Sequence, residues 1–511
     1  STLGFMSALG INFGTGTAIP YYQDITTRFN FPTEKAGTFS VFAIGGVSQI
    51  DLISSNEEDT VDNLYNNDLD IYDRSKTGIA GISHQYLIDN SSYTKFTLAA
   101  SYVMNSDLID SISPETYDPV PYYSQNFTQT KIAGNFFYKK KFNTKHNLQI
   151  GVRFDEFLVD IIDSIYRSTI DRYITLTEYD GNTFLLQPYA QYQYRVSDKM
   201  SLNAGLHYQY LGLNGSSSLE PRAGIKYQIN EKNALSFGYG LHSMMAPIAT
   251  YFKTVEAGVG NYITPNDSID FVKAHHIVLG YDLQLSPTIR MKTEVYYQHL
   301  YDVLIDKDSS SYSVLNTGSL TFGSPDYLKN SGTGRNYGAE LTLEKFMDKG
   351  MYFLVTGSLY RSEYTGSDKI ERESAFSGNY VTNFVGGKEF TLFPNRVGQK
   401  TKKSIVLDTK FTLAGGQRYT PIDLEESILA GETKYDWDNA YGDQFDDYMR
   451  LDLRTAFKMD GKFATQEWAI DIQNITSRQN PLYQRFNPIE GQIDTVYQLG
   501  FFLVPQYRIT F

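Results

Sequence analysis

The chain contains no cysteine, only two tryptophans, and no apolar run long enough for a membrane helix. Without cysteine, disulfide bonds and thiolate-ligated metal centres are excluded. A membrane-spanning helix needs roughly 18–20 consecutive apolar residues, so the sequence does not predict a helical membrane protein. Positive charge is also scarce, because 45 Lys and Arg residues stand against 58 Asp and Glu. The resulting net charge of −13 argues against a nucleic-acid-binding protein.

Tyrosine and phenylalanine are abundant, with 41 and 32 residues among the 511 of the chain. A tyrosine side chain suits a membrane–water boundary, because its ring is apolar and its hydroxyl group binds water. The chain is longer than the roughly 250–300 residues at which single hydrophobic cores stop growing. No linker or low-complexity tract divides it. An architecture that grows by adding strands accounts for both observations.

Apolar and polar residues alternate with a period of two in many segments. Around residue 206, for example, Leu206 and Tyr208 alternate with His207 and Gln209. Successive side chains of a strand point to opposite faces, so each such strand has one apolar and one polar face. The alternating runs cover about ten to fourteen residues, the length with which a tilted strand crosses a bilayer. The clearest runs are 184–196, 201–210, 219–229, 289–298 and 449–458.

The connections between these runs are of two kinds. Short polar turns are expected near 143–146, 197–200, 230–233, 286–288, 347–350 and 459–462. Long loops are expected near 47–75, 106–125, 161–181, 244–272, 304–333, 417–446 and 476–497. Short periplasmic turns opposite long extracellular loops are typical of bacterial outer-membrane barrels. The sequence therefore predicts an all-β fold, a transmembrane antiparallel β-barrel of about 20–22 strands in the cell outer membrane. The first predicted strand lies near 1–10 and the last near 499–511.

Several stretches after residue 219 resemble one family, the TonB-dependent outer-membrane receptors of Bacteroidota. The resemblance is to the subgroup that carries a carboxypeptidase-regulatory-like domain. It rests on the stretches 220–224 (EPRAG), 238–243 (GYGLHS), 274–281 (AHHIVLGY), 336–346 (NYGAELTLEKF), 378–380 (GNY), 386–390 (GGKEF) and 507–511 (YRITF).

The resemblance implies active uptake of a scarce nutrient such as a siderophore, a peptide or a glycan. It also implies three partners: the lipid of the outer membrane, a plug domain that blocks the pore, and the TonB energising complex. The family's plug normally precedes the barrel. Residues 1–511 are therefore expected to form the barrel domain alone, with the plug and the first hairpin upstream of this sequence.

Two other functions stay open at this stage. The barrel could be a structural subunit recruited into a larger outer-membrane complex for secretion or assembly, with transport lost. It could also be a passive porin. A surface lipoprotein is a further partner that would fit the receptor function. No nucleophile with a positioned base is recognisable in the sequence, so we expect no enzyme, and no cofactor is indicated.

The candidate ligand-binding residues follow a strand that opens into an extracellular loop. Methionine and aromatic side chains at such a place can contact a substrate. Ordinary folding of the loop explains the same residues equally well. The candidates are His242, Met244, Met245, Tyr251 and Phe252.

A second set consists of arginines on the polar faces of the strands. They could bind carboxylates of the plug domain in the lumen. Alternatively they pair with carboxylates of the wall, such as Asp452 and Glu294. These arginines are Arg222, Arg290, Arg450, Arg454 and Arg508.

Metal binding is weakly supported by the sequence. None of the seven histidines has a metal-binding spacing, and His275 and His276 point to opposite faces of one strand. Carboxylates cluster in the loops 47–75 and 417–446 and could hold calcium, but neither loop matches a calcium-binding motif. Solvation of these loops, or packing against partner proteins, explains their acidity without a metal.

Overall fold

The computed structural model describes residues 20–53, 55, 69–113, 116, 118–258, 261–317, 325–393, 401–488 and 490–511. The first half of the described chain contains ten strands: β1 (Tyr21–Pro32), β2 (Thr38–Leu52), β3 (Leu69–Asp89), β4 (Ser92–Ile112), β5 (Pro119–Lys141), β6 (His146–Arg167), β7 (Arg172–Arg195), β8 (Met200–Leu211), β9 (Ser217–Asn230) and β10 (Asn233–Met244).

The second half follows after the short helix α1 (Ile248–Phe252). Its strands are β11 (Val255–Glu256), β12 (Tyr262–Ile263), β13 (Val272–Ser286), β14 (Ile289–Asp306), β15 (Leu328–Asp348), β16 (Met351–Thr365), β17 (Glu371–Glu373), β18 (Tyr380–Leu392), β19 (Lys402–Ala414), β20 (Arg418–Tyr419), β21 (Asp443–Gln444), β22 (Tyr448–Asp460), β23 (Thr465–Gln473), β24 (Pro481–Asn487), β25 (Gln492–Tyr497) and β26 (Phe502–Thr510). Helix α2 (Leu424–Ala430) lies between β20 and β21. Single turns of 3₁₀-helix cover Ser168–Ile170, Val314–Asn316 and Trp437–Asn439.

Twenty of the strands form one antiparallel sheet in which neighbours in the chain are mostly neighbours in space. The strands β11–β12, β20–β21 and β24–β25 form small separate hairpins in the outer loops. Within the described residues, β1 pairs only with β2 and β26 only with β23. The predicted first strand near 1–10 lies outside the described residues. The predicted fold, an antiparallel barrel wall of about twenty strands, is confirmed.

The period-two faces of the sequence are the two faces of this wall. Tyr239, Ile277, Tyr297 and Tyr337 are successive cross-strand partners on the outward face. Other large apolar side chains of this face are also exposed, because lipid and not protein covers the outer surface of a barrel. Exposed apolar residues of the outward face include Leu219, Ile225, Leu279, Val295, Leu359, Phe390 and Leu407.

Aromatic rings form bands at both ends of the outward face. Near the loop end, the ring of His275 lies 6.1 Å from that of Tyr239 and 5.3 Å from that of Tyr301. Near the short-turn end, the ring of Trp468 lies 5.9 Å from Phe457 and 5.5 Å from Tyr507. Two such girdles mark the two interfaces of the outer membrane in bacterial barrels. The abundance of tyrosine in the sequence is thus partly explained by its position in the wall.

The predicted short turns agree with the structure. Strands β9 and β10 are joined by residues 231–232, β13 and β14 by 287–288, and β15 and β16 by 349–350. The last of these turns needs a left-handed backbone at Gly350, where φ is +74°. These tight connections keep consecutive strands in antiparallel pairs and fix their register.

The long loops predicted near 106–125 and 161–181 were wrong. Most of these residues belong to strands, because β4 continues to Ile112, β6 continues to Arg167, and β7 begins at Arg172. Strand β7 has 24 residues, far more than the ten to fourteen that we expected. A bilayer is crossed by about 9–11 residues of a tilted strand, so β3–β7 extend beyond the membrane on the loop side. Their polar residues resemble loop residues in sequence, but the backbone there stays paired with the neighbouring strands. Parts of loop 245–271 also pack against the inward side of β6 and β7.

That packing forms a hydrophobic core inside the wall. Loop 245–271, which contains α1, contributes Tyr251 and Phe271, each with 0% of its surface exposed. The wall contributes inward side chains such as Ile161, Leu185 and Leu211. These two parts of the loop therefore fold against the inner side of the wall, whereas the hairpin of β11 and β12 between them is exposed, with Tyr262 at 51%. No helix of the described residues is long and apolar enough to span a membrane.

Candidate functional site

Three outer loops meet on one side of the lumen and enclose a cavity of about 420 Å³. They are the connections 366–379, 415–447 and 474–501. We call this space the outer cavity. Its volume lies within the range of about 300–1,000 Å³ that is usual for small-molecule sites. Its lining includes Phe376, Gln417, Phe445, Asp446, Tyr448 and Gln498.

Buried polar contacts and glycines hold the walls of the outer cavity in place. Asn480 is 2% exposed, and its amide group accepts from the Met449 N–H at 3.0 Å and donates to the Met449 carbonyl at 3.1 Å. A β-carbon on Gly416 would overlap the carbonyl oxygen of Phe445, and one on Gly415 would overlap that of Gly378. Because backbone atoms meet so closely here, the loops are fixed relative to each other before any ligand binds.

A second cavity of about 560 Å³ lies next to the first, deeper along the wall. We call it the inner cavity. Tyr360 and Phe376 line both cavities and separate them. Gly338 leaves room for the neighbouring Tyr296, because a β-carbon there would lie 2.8 Å from the Tyr296 hydroxyl oxygen. Together the two cavities form a path from the outer loops toward the middle of the lumen.

Both cavities are acidic and aromatic. Glu294 and Glu340 are direct cross-strand partners in the inner cavity, and Asp446 lines the outer one. Lys292 pairs with Glu294 at 2.6 Å, whereas Glu340 makes no ion pair with any described residue. Among the described residues, no Lys, Arg or His lines either cavity. The path is therefore electrostatically unfavourable for anions.

The adjoining part of the wall, where β10 pairs with β13, carries a compact network around Glu220, whose side chain is 1% exposed. Its carboxylate accepts from His207 Nδ1 at 2.9 Å, from Arg222 at 2.7 Å and from Gln209 Nε2 at 2.5 Å. It also accepts from the backbone N–H of Ser243 at 3.1 Å, at the point where β10 ends. A buried carboxylate with this many donors is stable in its charged form and joins β8, β9 and β10. The network positions the start of loop 245–271.

The structure does not bring the five predicted ligand-binding residues together. Tyr251 and Phe252 lie in the buried core of the loop, where burial raises the pKa of Tyr251 to about 12. Met245 packs against the same core, whereas Met244 is 67% exposed. His242 faces the lumen beside His276, with a ring-to-ring distance of 4.7 Å. Their role in ligand binding stays a prediction, and the burial of Tyr251 and Phe252 favours ordinary packing for these two residues.

The predicted lumen arginines are mostly paired with wall carboxylates. Arg290 donates to Asp282 at 2.9 Å, and Arg450 pairs with Asp452 at 2.7 Å. Arg454 contacts three acidic residues of the wall, and Arg222 belongs to the Glu220 network. For Arg508, no ion pair occurs with the part of the chain that the structure describes. These contacts favour wall pairing, while binding to a plug stays a prediction.

The two acidic loops are only partly described. Residues 54 and 56–68 of the first lie outside the described residues. In the second, Asp423 caps α2 by accepting from the Glu426 N–H at 2.9 Å. The described ranges contain no group of three or more side chains arranged to hold a metal ion.

Sequence reasoning missed the residues that line the outer cavity. Phe376 lies in the loop 366–379, and Gln417 and Asp446 lie at the two ends of the loop 415–447; none of them belongs to a periodic pattern. The loop 366–379 was not predicted at all. The one available signal was glycine at 378, 415 and 416, since glycine marks places where backbones approach closely.

Comparison with solved structures finds the same fold in outer-membrane receptors. The ferric-catecholate import receptor Fiu from E. coli is 11% identical, with a TM-score of 0.69 over 98% of this chain and 76% of that protein. The ferric yersiniabactin uptake receptor FyuA from Yersinia pestis is 12% identical, with a TM-score of 0.67 over 97% and 71% of the two chains. The ferric preacinetobactin receptor BauA from Acinetobacter baumannii is 13% identical, with a TM-score of 0.64 over 98% and 74%.

The sequence itself was compared in two further ways. No curated protein sequence matches the chain. The family model described as "TonB dependent receptor-like, beta-barrel" matches residues 9–475. With this match over most of its length and with the fold described above, the chain belongs to the TonB-dependent receptor β-barrel family of the bacterial outer membrane.

Proposed function

We propose that this barrel is the wall of an active importer that binds a scarce nutrient in the outer cavity and passes it inward. The observation that carries the proposal is the cavity itself. Three outer loops with closely packed backbones form a cavity of small-molecule size, which shares Tyr360 and Phe376 with a second, deeper cavity. Rigid walls with binding loops are the usual division of labour in such folds.

Membership in the family implies a plug domain and contact with TonB. The plug would close the lumen, and pulling by the TonB complex would supply the energy for passage. The lumen arginines could hold the plug only through donors left over from their wall contacts. Arg222 and Arg290 are 44% and 41% exposed and have room for such a second partner.

Several finer statements rest on the sequence resemblance alone. We propose that residues 1–511 form one barrel domain and that the chain belongs to the Bacteroidota subgroup with the carboxypeptidase-regulatory-like domain. A surface lipoprotein is a proposed additional partner at the outer loops. The alternative of a purely structural subunit has no support in the described residues, since that role requires no ligand-sized cavity.

The test is growth on limiting nutrients in a strain that lacks the gene. We expect a nutrient-specific growth defect that the intact gene rescues, and we expect the rescue to disappear when TonB is deleted. The double variant F376A/D446A should fail to rescue, whereas F463A should rescue fully. Phe463 is a matched control because it is 82% exposed at the opposite, short-turn end.

Two results would contradict the proposal. Rescue that persists without TonB would show a passive pore. Rescue by the double variant to the level of F463A would show that the outer cavity is not the entry site.

A further inference from the structure

We infer that the short turn between β15 and β16 binds an anionic phospholipid of the periplasmic leaflet of the outer membrane. This inference goes beyond the proposed import function, because the site faces lipid and not the lumen. Lys349 lies in the turn itself, and the ammonium groups of Lys345 and Lys388 reach the turn from the wall. We call residues 345–351 together with Lys388 the lysine turn.

The lysine turn lies on the lipid side of the wall, at its periplasmic end. Lys388 is the cross-strand partner of Met351 on one side and of Leu407 on the other. Leu407 belongs to the outward face and is 48% exposed. Lys345 shares its face of β15 with Leu341, which is 45% exposed. Because the membrane ends near the short turns, these lysines reach the level of the phospholipid headgroups.

Three ammonium groups stand against one carboxylate at the lysine turn. The Lys388 Nζ donates to the Lys349 carbonyl at 2.8 Å. The Lys345 Nζ lies 3.9 Å from the carboxylate of Asp348. The exposed side chain of Lys349 makes no ion pair with the part of the chain that the structure describes. This local excess of positive charge, in a protein with a net charge of −13, attracts the phosphate group of an anionic lipid.

The ammonium groups also keep hydrogen-bond donors for a ligand. Each lysine ammonium has three donors. Lys388 uses one of them for the Lys349 carbonyl, and the 3.9 Å contact of Lys345 is longer than a hydrogen bond. Phosphate oxygens are strong acceptors for the donors that are left.

Apolar side chains beside the lysine turn are exposed as well. Met347 is 59% exposed, Met351 43% and Phe390 46%. The Lys388 Nζ lies 6.0 Å from the centre of the Phe390 ring. Contact with water is unfavourable for such side chains, and the acyl chains of a bound lipid would cover them. Ammonium groups next to an apolar rim fit a phospholipid better than a small soluble anion.

The backbone of the lysine turn is fixed before any lipid binds. The Glu389 N–H donates to the Gly350 carbonyl at 2.7 Å. A β-carbon on Gly350 would lie 2.6 Å from the Glu389 carbonyl oxygen, so the two backbones are in close contact. The strand that carries Lys388 is therefore tied to the turn that carries Lys349. A preformed site of this kind loses little conformational entropy on binding.

The test measures lipid binding to the purified full-length protein in mild detergent by native mass spectrometry. The probes are dioleoylphosphatidylglycerol, which is anionic, and dioleoylphosphatidylcholine, which is zwitterionic and has the same acyl chains. We expect the anionic lipid to bind about 25-fold more tightly, since each lysine near a headgroup contributes about fivefold. The double variant K345Q/K388Q should lower the affinity for phosphatidylglycerol about 25-fold and leave that for phosphatidylcholine unchanged.

The matched control is K76Q. Lys76 is an exposed lysine on the same outward face, as the cross-strand partner of Val47, but it lies in the outer half of β3. Its replacement should change the affinity for neither lipid.

The variant D348N gives a second readout, of opposite sign. Asparagine keeps the size of the side chain but removes the carboxylate that Lys345 contacts. The affinity for phosphatidylglycerol should therefore rise about fivefold, as it would with one added positive charge. A purely structural role of these lysines predicts no such gain.

Four results would overturn the inference. Equal affinities for the two lipids, or unchanged binding of phosphatidylglycerol by K345Q/K388Q, would show that the lysine turn does not select anionic headgroups. An equal loss in K76Q would show a general effect of charge. Binding of glycerol 1-phosphate as tight as that of phosphatidylglycerol would identify a site for soluble anions.

Discussion

The hydroxyl group of Tyr360 donates a hydrogen bond of 3.3 Å to the carbonyl oxygen of Phe376. This contact ties a strand of the wall to the loop that separates the two cavities. It holds the backbone of Phe376 in place together with the Gly378 N–H, which donates to the same carbonyl at 3.0 Å. Strand β16 of the wall thus holds the loop at Phe376.

The variant Y360F should loosen this loop without disturbing the wall. Losing one hydrogen bond costs about 1 kcal/mol, which corresponds to about fivefold faster local opening. Hydrogen–deuterium exchange of residues 374–379 measures this rate of local opening. The control is Y208F, an outward tyrosine of β8 far from these loops. Equal exchange in both variants would show that the Tyr360 contact does not hold the loop.

Removal of the Glu220 carboxylate should destabilise the wall strongly. The variant E220A leaves Arg222 and the buried donors of Gln209 and Ser243 without their acceptor, which costs about 3–5 kcal/mol by analogy with other broken buried pairs. The matched control is E340A, since Glu340 faces the lumen without an ion pair among the described residues. Urea unfolding in lipid vesicles compares the two. If E220A and E340A unfolded with similar free energies, the Glu220 network would contribute little to the stability of the wall.

The variant G416A should disrupt the outer cavity. The added methyl group would overlap the Phe445 carbonyl, and since the obstacle is backbone, the loop itself must move. We expect rapid protease cleavage within 415–447 on intact cells and loss of growth rescue. The control is G238A, where an added β-carbon meets no atom within 4 Å. Resistance to protease in G416A would contradict this account of the loop packing.

The face assignment of the wall can be tested with two neighbouring residues. Leu279 is 54% exposed on the outward face, and Val278 lines the inner cavity. L279R places a charge in lipid and should cost about 2–4 kcal/mol near the bilayer midplane. V278R places the same charge in an acidic lumen and should cost much less. The free energy of unfolding in lipid vesicles, measured for both variants, distinguishes the two positions. A larger loss of stability in V278R than in L279R would mean that Val278, and not Leu279, faces the lipid.

The outer extensions of β3 and β4 should become less stable as the pH rises. Asp73 and Asp107 are cross-strand partners beyond the membrane, and burial together with the Asp73 carboxyl group raises the pKa of Asp107 to about 6. A raised pKa in the folded state means that the protonated form stabilises the fold. This stabilisation is complete below the ordinary aspartate pKa and is lost as the pH rises through about 6.

Hydrogen exchange of residues 104–112 at pH 5 and pH 7.5, corrected for intrinsic rates, measures this loss of stability. The variant D107N keeps a neutral partner at every pH, so its exchange should show no such dependence. If the wild-type segment were equally protected at both pH values, the proton shared by the pair would have no role in stability.

The sequence by itself determined the wall. The alternation of Leu206 and Tyr208 with His207 and Gln209 recurs along the chain, and a period of two has only one regular backbone solution, a strand with two unlike faces. Turns such as the one at Gly350 are also local, since they depend on neighbouring residues alone. For this reason the barrel, its facing and its short turns could be predicted without coordinates.

The tertiary structure alone decided where the loops go and what they form. Tyr251 has the same local sequence character whether it faces a ligand or a core, and it is buried in a core to which distant wall residues such as Ile161 and Leu211 contribute. Phe376, Gln417 and Asp446 line one cavity because the loops 366–379 and 415–447 fold against each other, and no short-range pattern encodes that contact. Strand pairing repeats along the chain and is visible in one sequence, whereas contacts between distant loops depend on packing that appears only in the folded molecule.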